Sequence, residues 1–211
     1  MSIRAVVFDI GGVLEVSADG REPTEAWGEM VAGWESRLGL APDVLSAALA
    51  SMHDDGLLGL SSEAEWRENL RVAGGMTDAQ LQGFARESWA LYLGVLNEEL
   101  ASYLRALRPR YQTALLSNSF VGARREEEQA YAFEAMVDLI VYSHEEGVAK
   151  PDRPIYERTC ERLEVSPTEV LFLDDVQAYV DAAREVGMHA VLFESNEQAL
   201  EEITGILRRH A

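Results

Sequence analysis

Four places in the chain carry side chains suited to a common chemistry. Asp9 lies near the end of "RAVVFDI", Ser117 lies in "TALLSN", Lys150 in "GVAKPDRPIYE", and Asp174-Asp175 end "EVLFLDD". Brought together they make three carboxylates, a hydroxyl and an ammonium. Three anions in one place are unfavourable unless protonated or balanced by cations. Lys150 supplies one positive charge, and a bound Mg2+ would supply more, because magnesium takes carboxylate and carbonyl oxygens while keeping several waters. Such a site suits phosphoryl chemistry. The metal and the lysine would neutralise a phosphate, Ser117 and backbone N–H groups would bind its oxygens, and Asp9 would attack phosphorus, as nucleophilic carboxylates do in forming aspartyl-phosphates. Gly11 and Gly12 would let the backbone turn sharply and approach the phosphate closely. Asn118, beside Ser117, counts with them among the substrate contacts.

These residues need a scaffold that delivers them to one place. Short apolar runs rich in β-branched residues recur at 5–10, 113–118, 137–143, 169–175 and 189–195. Apolar residues on both faces of each run predict strands covered on both sides, as in a parallel sheet. Helical patterns separate the later runs: "DRPIYERTCERLEV", "AYVDAAREVG" with a glycine C-cap, and "SNEQALEEITGILRRH", which opens on a capping-box pattern from Ser195 to Gln198. Ser166 to Glu169 repeats the box before the fourth run. Alternating strands and helices give an α/β fold with a doubly wound parallel sheet, whose ligands bind at the carboxyl ends of the strands. Asp9, Ser117 and Asp174-Asp175 all fall at such ends, and Lys150 falls in a loop just before a helix.

Residues 21–95 differ in kind. They read as helices over 24–38, 43–52, 62–73 and 77–94, with capping boxes at Ser62/Glu65 and Thr77/Gln80, and they hold all four tryptophans. A small helical bundle with a tryptophan-rich core, inserted after the first strand, is expected; the α/β core would then comprise 1–20 and 96–211. The net charge of −19 argues against a nucleic-acid partner and against an anionic membrane surface. The lone cysteine, Cys160, excludes an intramolecular disulfide and reads as a packed thiol. There is no signal-peptide pattern and no apolar run long enough to span a membrane, so a cytoplasmic protein, monomeric or homodimeric, is expected. The four histidines show no ligand spacing, and "GARREEEQAYAFEA" reads as a solvated helix.

The ordered set resembles the haloacid dehalogenase superfamily, whose hydrolases are mostly Mg2+-dependent phosphatases. Its four motifs resemble "VVFDIGGVL", "ALLSNS", "GVAKPDRPIYE" and "FLDDVQAYVDAAREVGMHAV". The resemblance implies that Asp9 is nucleophile and metal ligand, that the Gly11 carbonyl is a second ligand, and that Asp175 is the direct carboxylate ligand with Asp174 in support. It also implies that Ser117 and Lys150 hold the phosphoryl group of a small phosphorylated metabolite, and that 21–95 is a helical cap. Two positions depart from the pattern. Most phosphatases of the family carry a second aspartate, a general acid/base, where this chain has Gly11. The fourth motif commonly has asparagine where this chain has Tyr179, a change that reads as a packing matter. Two other readings stay open: a 2-haloacid dehalogenase, in which Asp9 attacks carbon, and a phosphate-binding or phospho-acceptor module with little turnover. The "DD" pair favours the phosphatase.

Overall fold

The computed structural model describes residues 2–21 and 23–210. Strand β1 (Ala5–Phe8) is buried along its whole length. Its side chains alternate between two cores, as a pleated strand requires. Val6 and Phe8 pack with Leu100, Leu104, Ile203 and Leu207 on one side of the sheet. Ala5 and Val7 pack with Ile155, Tyr156, Cys160 and Val180 on the other. The six residues 9–14 after β1 lead through a turn into β2 (Glu15–Val16), which pairs antiparallel with β3 (Val95–Leu96). Between these two short strands the chain forms α1 (Pro23–Leu38), α2 (Val44–Ala50), α3 (His53–Leu57), α4 (Glu63–Gly74) and α5 (Asp78–Leu93).

After β3 come α6 (Glu98–Leu107), β4 (Gln112–Ser117), α7 (Ala123–Tyr131), α8 (Phe133–Met136), β5 (Leu139–Tyr142), α9 (Ser143–Glu146), α10 (Arg153–Leu163), β6 (Val170–Asp174), α11 (Gln177–Val186), β7 (His189–Leu192) and α12 (Asn196–Arg209). The large sheet runs β5-β4-β1-β6-β7, and each neighbouring pair is parallel. From β1 the chain builds outward through β4 and β5, then crosses back to place β6 on the other side of β1. The strand order therefore reverses beside β1, and at such a switch point the carboxyl ends of the strands open a crevice.

The strands fall where the apolar runs predict them, trimmed at their ends where residues turn into loops. The stretch expected as one helix over 43–52 ends at Ala50, and a separate turn of helix, α3, follows it. Ser62 and Thr77 cap α4 and α5 with complete capping boxes. The box expected at Ser195 is only half made: its hydroxyl accepts from the Gln198 amide, but the Gln198 side chain accepts from the Glu194 amide instead. Trp34 is buried in the helical segment's own core with Leu45, Leu70 and Phe84, and Trp27 and Trp66 pack against it. Trp89 stands apart from that cluster, packed edge-on against Tyr92. Among the described residues no helix is long and apolar enough to cross a membrane.

Candidate active site

Asp9 leaves the end of β1 into the crevice, and Asp174 leaves the end of β6 beside it. The amide of Asp9 donates to the Leu173 carbonyl, which ties the two strand ends together. Lys150, from the loop between α9 and α10, inserts its ammonium between the two carboxylates, 2.8 Å from Asp9 Oδ1 and 2.6 Å from Asp174 Oδ2. All three side chains are almost wholly buried. The Ile10 amide also donates to Asp9 Oδ1, at 2.7 Å, so the partners of Asp9 collect on one oxygen and leave Oδ2 for chemistry. Asp174 is held at both ends: Oδ2 takes the lysine and Oδ1 accepts from the Val176 amide at 2.8 Å.

Ser117 ends β4 in the same crevice and is buried, its hydroxyl making a long 3.5 Å contact with the Asn118 carbonyl. The Asn118 side chain is committed to the lysine loop. Its amide nitrogen donates to the Lys150 carbonyl and its oxygen accepts from the Lys150 amide, both at 2.8 Å. Asn118 thus braces the backbone of the loop that carries Lys150. Gly12 has φ +78°, and a Cβ there would stand 2.1 Å from Asp175 Oδ2. Only glycine lets the turn pass this close to the carboxylate. Gly11, in contrast, has open space where its Cβ would be.

Asp9, Asp174 and Asp175 each offer an oxygen within 4.8 Å of the others. Burial pushes the Asp9 carboxyl well above the ordinary carboxylate range; the charges of Asp174 and Asp175 push the same way, and the Lys150 ammonium opposes them. Burial works against the Lys150 ammonium, but Asp9 and Asp174 outweigh it and hold its pKa above the usual value. One buried cation thus faces three carboxylates. This donor set, all oxygen and short of positive charge, fits a hard divalent cation.

Lys150 stands where the motif pattern predicts it, whereas the surroundings of Tyr179, Glu127 and Glu15 are not signalled by the sequence. Lys150 is the sole lysine among 18 basic residues, a singularity visible in the sequence that marks it out from ordinary surface lysines. Tyr179, read as a packing residue, is half-buried, places its ring 5.0 Å from the Lys150 ammonium, and accepts a hydrogen bond from Asn118. Glu127, in the helix read as solvated, is fully buried; it accepts from Tyr92 at 3.0 Å and from Tyr142. Glu15 is buried nearby with its Oε1 unpartnered. No local pattern announces such carboxyls, because their partners come from distant elements.

A family model described as a haloacid dehalogenase-like hydrolase matches residues 3–187. The chain is 27% identical to bifunctional epoxide hydrolase 2 of Sus scrofa over 98% of its own length, but spans 40% of that relative. It is 26% identical to D-ribitol-5-phosphate phosphatase of Bacteroides thetaiotaomicron, covering 97% of this chain and 98% of the relative. Its fold resembles a HAD family enzyme from the same organism solved with magnesium and inorganic phosphate, with a TM-score of 0.69, 22% identity, and coverage of 92% and 96% of the two chains.

Proposed function

We propose that this chain, which belongs to the haloacid dehalogenase-like hydrolases, is a Mg2+-dependent phosphatase of small phosphorylated metabolites. The observation that carries the reading is the Lys150 ammonium held between Asp9 and Asp174, with Asp175 close by. Three converging carboxylates beside one ammonium are short of positive charge, and a divalent cation that made up the deficit would also coordinate a phosphate. Asp9, the Gly11 carbonyl and Asp175 would hold the Mg2+, with Asp174 in support, and the ion would supply charge neutralisation for the phosphate.

In this reading Asp9 Oδ2 attacks phosphorus and the bond from phosphorus to the leaving oxygen breaks. Lys150 and Ser117 hold the phosphoryl oxygens, and water then releases phosphate from the aspartyl-phosphate. Gly11 offers no acid to protonate the leaving alcohol and no base for that water, so both proton transfers fall to solvent or to the helical segment, which we read as a cap over residues 21–95. The relative active on D-ribitol 5-phosphate places pentitol and sugar phosphates first among substrates to test.

The test is phosphate release from p-nitrophenyl phosphate and from a panel of sugar and polyol phosphates, with Mg2+ and with EDTA. Mg2+-dependent turnover, lost in Asp9→Asn, is expected. Metal-independent halide release from 2-haloacids would make it a dehalogenase, and stoichiometric phosphorylation of Asp9 without turnover would make it a phospho-acceptor.

A further inference from the structure

We propose that Tyr179 is a positioning residue that holds the Lys150 ammonium in place between Asp9 and Asp174. Tyr179 stands in the first turn of α11, five residues beyond Asp174. It reaches the lysine at both ends, directly at the head and through Asn118 at the backbone. At the head, its ring lies 5.0 Å from Nζ, within the roughly 6 Å at which an aromatic face attracts a cation. The buried Phe172 ring, 5.7 Å away, gives the ammonium a second aromatic neighbour. At the backbone, the Tyr179 hydroxyl accepts from Asn118 Nδ2 at 3.3 Å, and that same nitrogen donates to the Lys150 carbonyl. Tyr179 is itself pinned, since the Tyr156 hydroxyl donates to its carbonyl at 2.9 Å.

Tyr179 is half-buried, and its ring faces the ammonium while its hydroxyl meets Asn118. An asparagine, common at this position in the family, would offer the lysine no ring. The lysine has three rotatable donors on a flexible stem, and two carboxylates alone leave it free to favour one over the other. An aromatic face beside the ammonium limits that freedom.

The proposal's catalytic consequence rests on the phosphatase reading, but its geometric content does not, and the sole lysine lets the two be tested apart. Protein labelled with 13C and 15N at lysine gives one side-chain signal, that of Lys150. In the wild type its ε-methylene should be ring-shifted. Tyr179→Phe should keep that shift, while Tyr179→Leu and Tyr179→Asn should both lose the part that the Phe172 ring does not supply. On p-nitrophenyl phosphate the Leu and Asn variants should lose about 2- to 30-fold in kcat, the range of a cation–ring contact, with KM changed less and with Phe restoring most of the loss. Either variant, folded, with a wild-type lysine signal would overturn the proposal, as would a lost signal with unchanged kcat. A wild type inactive on every phosphate ester would overturn the phosphatase reading instead, and the lysine signal would still decide for or against Tyr179.

Discussion

Gly11 and Gly12 are neighbours behind Asp9, yet a side chain would meet opposite surroundings at the two positions. At Gly12 the left-handed backbone costs an L-residue about 1–2 kcal/mol, and the new Cβ would collide with Asp175. Gly12→Ala is expected to lower the melting temperature and to weaken Mg2+ binding in a calorimetric titration, because the collision displaces a proposed metal ligand. Unchanged Mg2+ affinity would remove Asp175 from the ligand set. At Gly11 the φ lies outside the left-handed range and the Cβ direction is open, so Gly11→Asp should fold normally. It would place a carboxylate where the site lacks a general acid/base, a device worth about 10²–10⁴-fold when positioned. Pre-steady-state assays with an activated aryl phosphate should show an initial burst in the wild type and faster steady turnover in Gly11→Asp. A fast wild type slowed by the new aspartate would show that another residue already moves the proton.

Between elements, the buried carboxyls of Glu15 on β2 and Glu127 on α7 have a pH signature. Burial, followed by the charges of Glu127 and Asp9, pushes the Glu15 carboxyl up to about 10. Glu127 is raised too, chiefly by burial, although its bonds from Tyr142 and Tyr92 pull it down. The folded state therefore binds a proton at Glu15 that the unfolded chain gives up near its ordinary value of 4.5. The sign follows from linkage: the contribution to stability is complete below about 4.5 and is lost as pH rises toward about 10. Glu15→Gln keeps the shape and cannot titrate. Its melting temperature relative to the wild type should rise steadily from pH 5 to pH 9, and a constant difference across that range would show that Glu15 is ionised in the fold.

For the whole molecule, the question is how the helical segment rides on the α/β core. It enters and leaves through the two-residue ribbon of β2 and β3. It touches the core through Glu63 and Arg125, paired by two 2.9 Å bonds, and through Tyr92 on Glu127. At Gly59 a Cβ would stand 2.0 Å from the His144 carbonyl, so the loop after α3 lies directly on the core. The ion pair is partly exposed and worth about 0–1 kcal/mol. Such contacts can open, and the ribbon can serve as the hinge. Hydrogen exchange should slow in α3 and α4 when Mg2+ and a phosphate mimic are added. Identical exchange with and without them would show that the segment does not close over the site.

The sequence by itself determined the sheet and the residues at its edge. Runs such as "AVVF" and "VLFL" are apolar on both faces, which requires burial on both sides, and each is followed at once by a carboxylate, Asp9 or Asp174, that needs partners where the strand ends. The helical segment was legible too, because Ser62 and Thr77 announce its helices by spacing alone. What tertiary structure decided are the pairings between elements far apart in sequence. Glu127 belongs to a helix as charged as any solvated one, and only the approach of Tyr92 and Tyr142 makes its burial tolerable. Asn118 could have faced a ligand, until the return of the chain placed the Lys150 backbone against it. Tyr179 looked like packing until the crossover set its ring beside the ammonium. Periodicity reports which face of an element is covered; which side chain covers it depends on strand order and register, and these arise only when the chain closes on itself.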